Sequence, residues 1–134
     1  MKIFVFDTNT IILFLKDDSD IVPLFNKAKE LKILPVISII TKIELLGFSK
    51  ITKQEEEIII NLLEELQIEN LSNDIVDQAI KLRRKYKLKI PDAIIAATAI
   101  VNKATLVTRD IEHFERIKGL KIADPSLKES NILS

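Results

Sequence analysis

Short apolar runs of high β-propensity, separated by longer stretches with apolar residues at helical spacing, leave this 134-residue chain few folds to choose from. The run KIFVF at residues 2–6 is nearly all apolar and stops at Asp7, which fits a strand buried on both faces of a parallel sheet. PVISI at 35–39 and ATLVT at 104–108 have the same character, and shorter runs at 68–71 and 121–123 bring the set to four to five strands. Helical patterns lie between them. Residues 8–16 form the first. Ile21, Leu24, Phe25, Ala28 and Leu31 share a face of the second, with Asp20 as N-cap and Pro23 tolerated in the first turn. TKIELL at 41–46 makes a short helix that Gly47 ends. Thr52 and Glu55 have the spacing of a capping box ahead of Ile58, Ile59, Leu62, Leu63 and Leu66. Ser72 or Asn73 caps a helix carrying Ile75, Val76, Ala79, Ile80 and Leu82, and Pro91 fits the first position of another that runs to about residue 102.

This alternation predicts an α/β three-layer sandwich, with a central, mostly parallel sheet of four to five strands flanked by helices. The length suits one domain over residues 1–134, with no internal repeat or linker. Ligands of such sheets bind beyond the carboxyl ends of the strands, so acids placed just after strands are the ones to inspect.

Composition removes several chemistries. The chain has no cysteine, which excludes a disulfide framework, thiolate metal sites and a cysteine nucleophile; a single histidine, His113, excludes multi-histidine sites. Its two glycines, Gly47 and Gly119, cannot make a P-loop or a dinucleotide fingerprint. Twenty Lys and Arg cancel 20 Asp and Glu, so contact with nucleic acid would have to come from local charge rather than a global basic field. Asp7 interrupts the first apolar stretch, and the later run at 93–101 is too short to span a bilayer; a soluble cytoplasmic protein with no membrane association is expected.

Most acids stand among lysines and glutamates and read as solvated faces. Asp7, Glu44, Asp92 and Asp110 instead lie within or beside apolar sequence. Helix capping accounts for Asp7, Asp92 or Asp110 taken singly, since each falls at a proposed helix start. Glu44 is flanked by Ile43, Leu45 and Leu46; either its helix turns this one position to solvent, or a cation or proton compensates it. Taken together, carboxylates converging on one sheet edge require cations, and hard oxygen ligands select Mg²⁺ or Mn²⁺. Such an ion lowers the pKa of water and stabilises charge on a phosphoryl oxygen, the chemistry of nucleases and phosphatases.

The ordered set FVFDTNTII, SIITKIELLG, KIPDAIIAATAI and TLVTRD, continued by HF and GLKI, resembles the PIN-domain family, most closely toxin ribonucleases of VapC type, over nearly the whole chain. The resemblance implies that Asp7, Glu44, Asp92 and Asp110 are a catalytic quartet around one or two Mg²⁺ or Mn²⁺ ions, the Asp110 position being variable in the family. It places Asn9 and Thr108 as polar residues behind the quartet. It further implies endonucleolytic cleavage of RNA, inhibition by a cognate antitoxin and a homodimer, for which the wealth of Ile, Leu and Phe gives an independent reason. A housekeeping RNA-processing nuclease or a catalytically idle interaction module would carry the same fold. A phosphatase with a D-x-D-x-T signature is disfavoured by Asn9, and a phosphorylatable receiver domain has no place for Glu44.

Two basic features have two readings each. Arg83, Arg84, Lys85, Lys87 and Lys89 either track an RNA backbone, with Tyr86 stacking on a base, or form a solvated helix end whose cations favour the C-terminal dipole. Arg109 either contacts phosphate or pairs with neighbouring acids. His113, next to Phe114 in a loop-like stretch, reads as a surface residue.

Overall fold

The computed structural model describes residues 2–126. Its elements run β1 (Ile3–Phe6), α1 (Thr8–Leu15), α2 (Ile21–Glu30), β2 (Leu34–Ser38), α3 (Ile39–Leu46), α4 (Lys53–Leu63), β3 (Gln67–Glu69), α5 (Asn73–Tyr86), α6 (Ile90–Val101), β4 (Thr105–Val107), α7 (Ile111–Phe114) and β5 (Lys121–Ala123). The strands form one sheet in the order β3-β2-β1-β4-β5, and all four pairings are parallel.

Side-chain alternation along the strands builds the three layers. Phe4 and Phe6 of β1 join Ile11, Leu24, Phe25, Leu45 and Leu62 in a core beneath α1 to α4. Val5 faces the other way, onto Val36, Leu106 and the buried residues of α5 and α6. The Phe4 and Phe6 rings meet edge to face at 6.1 Å, and each buried ring contributes about 2–3 kcal/mol. Helix α6 buries Ala93, Ala96, Ala97 and Ala99, and these small side chains let it lie close against the sheet centre. That packing fixes where the first turn of α6, with Asp92, stands.

Local chemistry sets most boundaries. Thr52 and Glu55 form the capping box on α4, and Ser72 caps α5 through Ile75 N. Several expectations are corrected. Ser38 Oγ accepts from Ile40 N, which ends β2 there and starts α3 two residues earlier than the apolar run suggests. Asp20 holds the N-cap position of α2 but its side chain makes no capping bond; the carboxylate of Asp18 accepts from Asp20 N and Ile21 N instead. Helical spacing also overstates burial, since Leu31, Ile58, Val76 and Ile80 are exposed, and Leu71 lies beyond β3 and is exposed too. Pro91 is the second residue of α6, behind Ile90. Among the described residues no helix is long and apolar enough to cross a membrane.

Candidate active site

From β1 the chain moves outward to β2 and β3, then returns through α5 and α6 to β4 on the other side of β1. The crevice beyond the carboxyl ends of β1 and β4 is therefore the topological switch point. Phe6 and Val107 are register partners, so the residues that follow them are neighbours. Thr108 Oγ1 donates to Asp7 Oδ2 at 2.6 Å, and Asp7 Oδ1 accepts from Thr10 N at 2.9 Å. Asp7 is thus the N-cap of α1 and at the same time a carboxylate, 8% exposed, at the bottom of the crevice. The fully buried Thr108 hydroxyl also accepts from Asp110 N at 3.0 Å, which places Asp110 at the start of α7. Asp110 is exposed and its side chain makes no capping bond.

Glu44 is not buried. Thr41 and Leu45 take the inward positions of α3, and Glu44 turns outward with Ile43. It does not simply enter solvent, because Thr8 Oγ1 donates to Glu44 Oε1 at 2.6 Å and lies 3.0 Å from Thr41 Oγ1. The residue after Asp7 therefore ties α3 to the same edge. Asp92, in the first turn of α6, is half-buried, with Oδ2 2.9 Å from His113 Nε2.

His113 keeps a partly exposed side chain, and that bond gives it a partner the sequence reading does not supply. Residues 111–114 form one helical turn, and a residue three after Asp110 returns to the same side. Sequence reasoning equally missed Thr8; the available signal was a hydroxyl residue directly after the acid that ends the first strand. Asn9 is exposed and makes no side-chain hydrogen bond among the described residues, whereas Thr108 lies directly behind Asp7.

All four acids thus belong to one edge of the sheet. Asp7 and Asp110 share Thr108, Glu44 is bonded to the residue after Asp7, and Asp92 is bonded to the turn that Asp110 opens. They do not form a closed cage: among the described residues no three acidic or imidazole side chains are grouped as metal ligands would be. The carboxylates of Asp7, Glu44 and Asp92 are each turned to their own partner, while Glu44 Oε2, Asp92 Oδ1 and the Asp110 carboxylate accept no protein hydrogen bond among the described residues. Carboxylate and hydroxyl oxygens are the donor set of a hard divalent cation, so the residues suit Mg²⁺ or Mn²⁺ by chemistry.

Arg109 takes the pairing role. Its guanidinium holds Asp18 through two hydrogen bonds of 2.8 and 3.0 Å and reaches Asp20 at 3.0 Å, fastening the α1–α2 loop to the β4–α7 loop. This fork holds the Asp18 carboxyl below its ordinary value and raises Arg109 above its own, the hydrogen bond between them being the largest cause in each case. The five cations of the basic run are exposed: Arg83, Arg84 and Lys85 are in the last turn of α5, Lys87 is its C-cap, and Lys89 is the N-cap of α6.

Comparison with known proteins identifies the family and the fold. The PIN domain family model matches residues 4–120. Ribonuclease VapC1 of Methanocaldococcus jannaschii is 38% identical over 96 residues, covering 66% of this chain and 69% of that protein. A toxin-antitoxin complex from Klebsiella pneumoniae contains a chain 33% identical with a TM-score of 0.75, covering 92% of this chain and 98% of that one. A chain of the DNA-bound VapBC structure from Salmonella typhimurium superposes with a TM-score of 0.83 at 25% identity, covering 93% and 99%.

Proposed function

This chain belongs to the PIN-domain family, and from that premise we propose that it is a Mg²⁺- or Mn²⁺-dependent endoribonuclease, the toxin of a toxin–antitoxin pair. The observation that carries the reading is the bonding of Asp7, Glu44, Asp92 and Asp110 to one sheet edge at the switch point. The matched ribonuclease and the matched toxin–antitoxin complexes support the substrate class and the partner.

The four carboxylates would hold the ion, which supplies water activation and neutralises charge on the phosphoryl group under in-line attack. The protein's own contribution is orientation. Thr108 fixes one oxygen of Asp7, and the α1 amide of Thr10 fixes the other. Thr8 holds one oxygen of Glu44 and leaves the second toward solvent, and His113 does the same for Asp92. Residues behind the acids thereby set the direction of the Asp7, Glu44 and Asp92 carboxylates before anything binds, and Thr108 positions Asp110 through its backbone N.

Two exposed apolar side chains, Ile43 at 60% and Phe48 at 57%, flank Glu44 and the end of α3. They suit an antitoxin that lays an apolar segment beside the acids and places an Arg or Lys among them, since a guanidinium bridges two carboxylates. Val76 and Ile80, one turn apart on α5, give an apolar strip for a homodimer. The test is cleavage of RNA by the purified chain, free of any partner, with Mn²⁺ and with excess chelator. Cleavage should need the cation and be lost in Asp92→Asn. Expression of the chain alone should arrest growth, Asp7→Asn should not, and co-expression of the neighbouring gene should restore growth. Chelator-resistant cleavage refutes the metal assignment, and a harmless wild type refutes the toxin assignment.

A further inference from the structure

Helix dipole explains cations only in the last turn of α5. Lys87 and Lys89 lie past that turn, and Lys87 holds a left-handed backbone (φ 54°) of the kind glycine ordinarily supplies at a helix end. A second segment joins them. Tyr86 Oη accepts from Lys118 N at 3.1 Å, and Arg116 Nη2 donates to Tyr86 O at 2.8 Å, so the stretch after α7 is docked on the end of α5. Lys85 Nζ lies 5.4 Å from the centre of the Tyr86 ring. Tyr86 is therefore a clamp between two cationic segments.

None of the cations in residues 83–89, nor Arg116 and Lys118, is in an ion pair among the described residues, although Glu112 and Glu115 sit nearby in and just after α7. By contrast, Arg109 and Lys29 are each paired with acids. The band runs directly into the acidic edge: Lys89 caps the helix whose third residue is Asp92, and α7, which carries His113 onto Asp92, leads into Arg116. In a chain whose charges sum to zero, unpaired cations gathered from two segments beside a carboxylate site constitute a local polyanion track.

We propose that this Tyr86-clamped band, formed by residues 83–89 with Arg116 and Lys118, binds the phosphate backbone of single-stranded RNA and leads it to the acidic edge. The assignment rests on the nuclease reading and adds the substrate path to it. The experiment measures binding of a fluorescent single-stranded RNA by anisotropy against salt, in an Asp7→Asn background that does not cut the probe. Replacing Arg83, Arg84 and Lys85 together by Gln should lower the slope of log affinity against log salt by about 2, at about 0.7 for each phosphate no longer neutralised. Lys87→Gln, Lys89→Gln and Lys118→Gln combined should do the same. Lys27→Gln, Lys29→Gln and Lys32→Gln combined, near the amino end of β2 on the opposite side of the sheet, should leave the slope unchanged. Urea midpoints establish that each triple variant is folded. Equal slopes for all three sets overturn the band even while wild type cleaves RNA. A wild type that never cleaves RNA overturns the nuclease reading instead. If the band variants lose antitoxin binding with the RNA slope unchanged, the surface belongs to a protein partner and the proposal fails.

Discussion

Asp7 has two structural duties besides its negative charge, and they separate by substitution. In Asp7→Ala, Thr10 N loses its cap acceptor, a cost of about 1 kcal/mol. The fully buried Thr108 hydroxyl loses the oxygen it donates to, which adds about 1–3 kcal/mol. Together the two effects cost about 2–4 kcal/mol. Asp7→Asn keeps an oxygen for Thr10 N and so spares the cap, but its amide leaves the buried Thr108 O–H, which already accepts from Asp110 N, without an acceptor, and its cost is about 1–3 kcal/mol. Thr108→Val removes the same 2.6 Å bond from the other side, and a double-mutant cycle of Asp7→Ala with Thr108→Val should show a coupling of about 1–2 kcal/mol. The assay is urea unfolding followed by circular dichroism, read as a change of midpoint at constant slope. Both Asp7 variants should be inactive on RNA, with Asp7→Ala the less stable by the cost of the lost cap, about 1 kcal/mol. Additive single and double costs would refute the bond, and equal destabilisation by Ala and Asn would refute the capping role.

Three further outcomes follow from the same geometry. Because the Arg109 fork depresses the Asp18 carboxyl, its stabilisation is complete above the unfolded value, 3.8, and is lost as pH falls through the lower folded value. The advantage of wild type over Asp18→Asn in urea midpoint should therefore be constant near neutrality and shrink in acid below 3.8. Gly47→Ala would bring a Cβ to 2.5 Å from the Ile43 carbonyl oxygen, and the backbone must shift; a loss of about 1–3 kcal/mol in thermal unfolding is expected. Thr52→Ala removes half of the capping box on α4 and should cost about 1 kcal/mol by the same measurement.

The layers were legible because strand and helix periods differ and both were strong in this chain. KIFVF stops at Asp7 where the strand stops, and the capping box opens α4 where the sequence places it. Boundaries governed by a single side chain were less visible. Ser38 converts the end of an apolar strand into a helix start, and apolar spacing does not record that Val76 and Ile80 face outward. For the site, the acids at strand ends announced themselves through position. Their orienting partners did not, since Thr8 reaches Glu44 across 36 residues and His113 reaches Asp92 across 21, and neither separation leaves a local pattern. The sequence leaves the surroundings of Glu44 open for a related reason: an apolar flank shows that a helix is apolar, but the packing of Thr41 and Leu45 decides which side is buried, and it turns Glu44 outward.

The central claim is that Asp7, Glu44, Asp92 and Asp110 act together on one class of divalent cation. It is tested most directly by titrating the purified protein with Mn²⁺ and following free Mn²⁺ by electron paramagnetic resonance. Wild type should bind one or two ions per chain. Asp7→Asn and Asp92→Asn should each abolish binding, Glu44→Gln should weaken it, and Asp110→Asn should have the mildest effect, each variant retaining a cooperative unfolding transition. Wild-type protein that binds no Mn²⁺, or Asp7→Asn and Asp92→Asn variants that bind it as wild type does, would contradict the account.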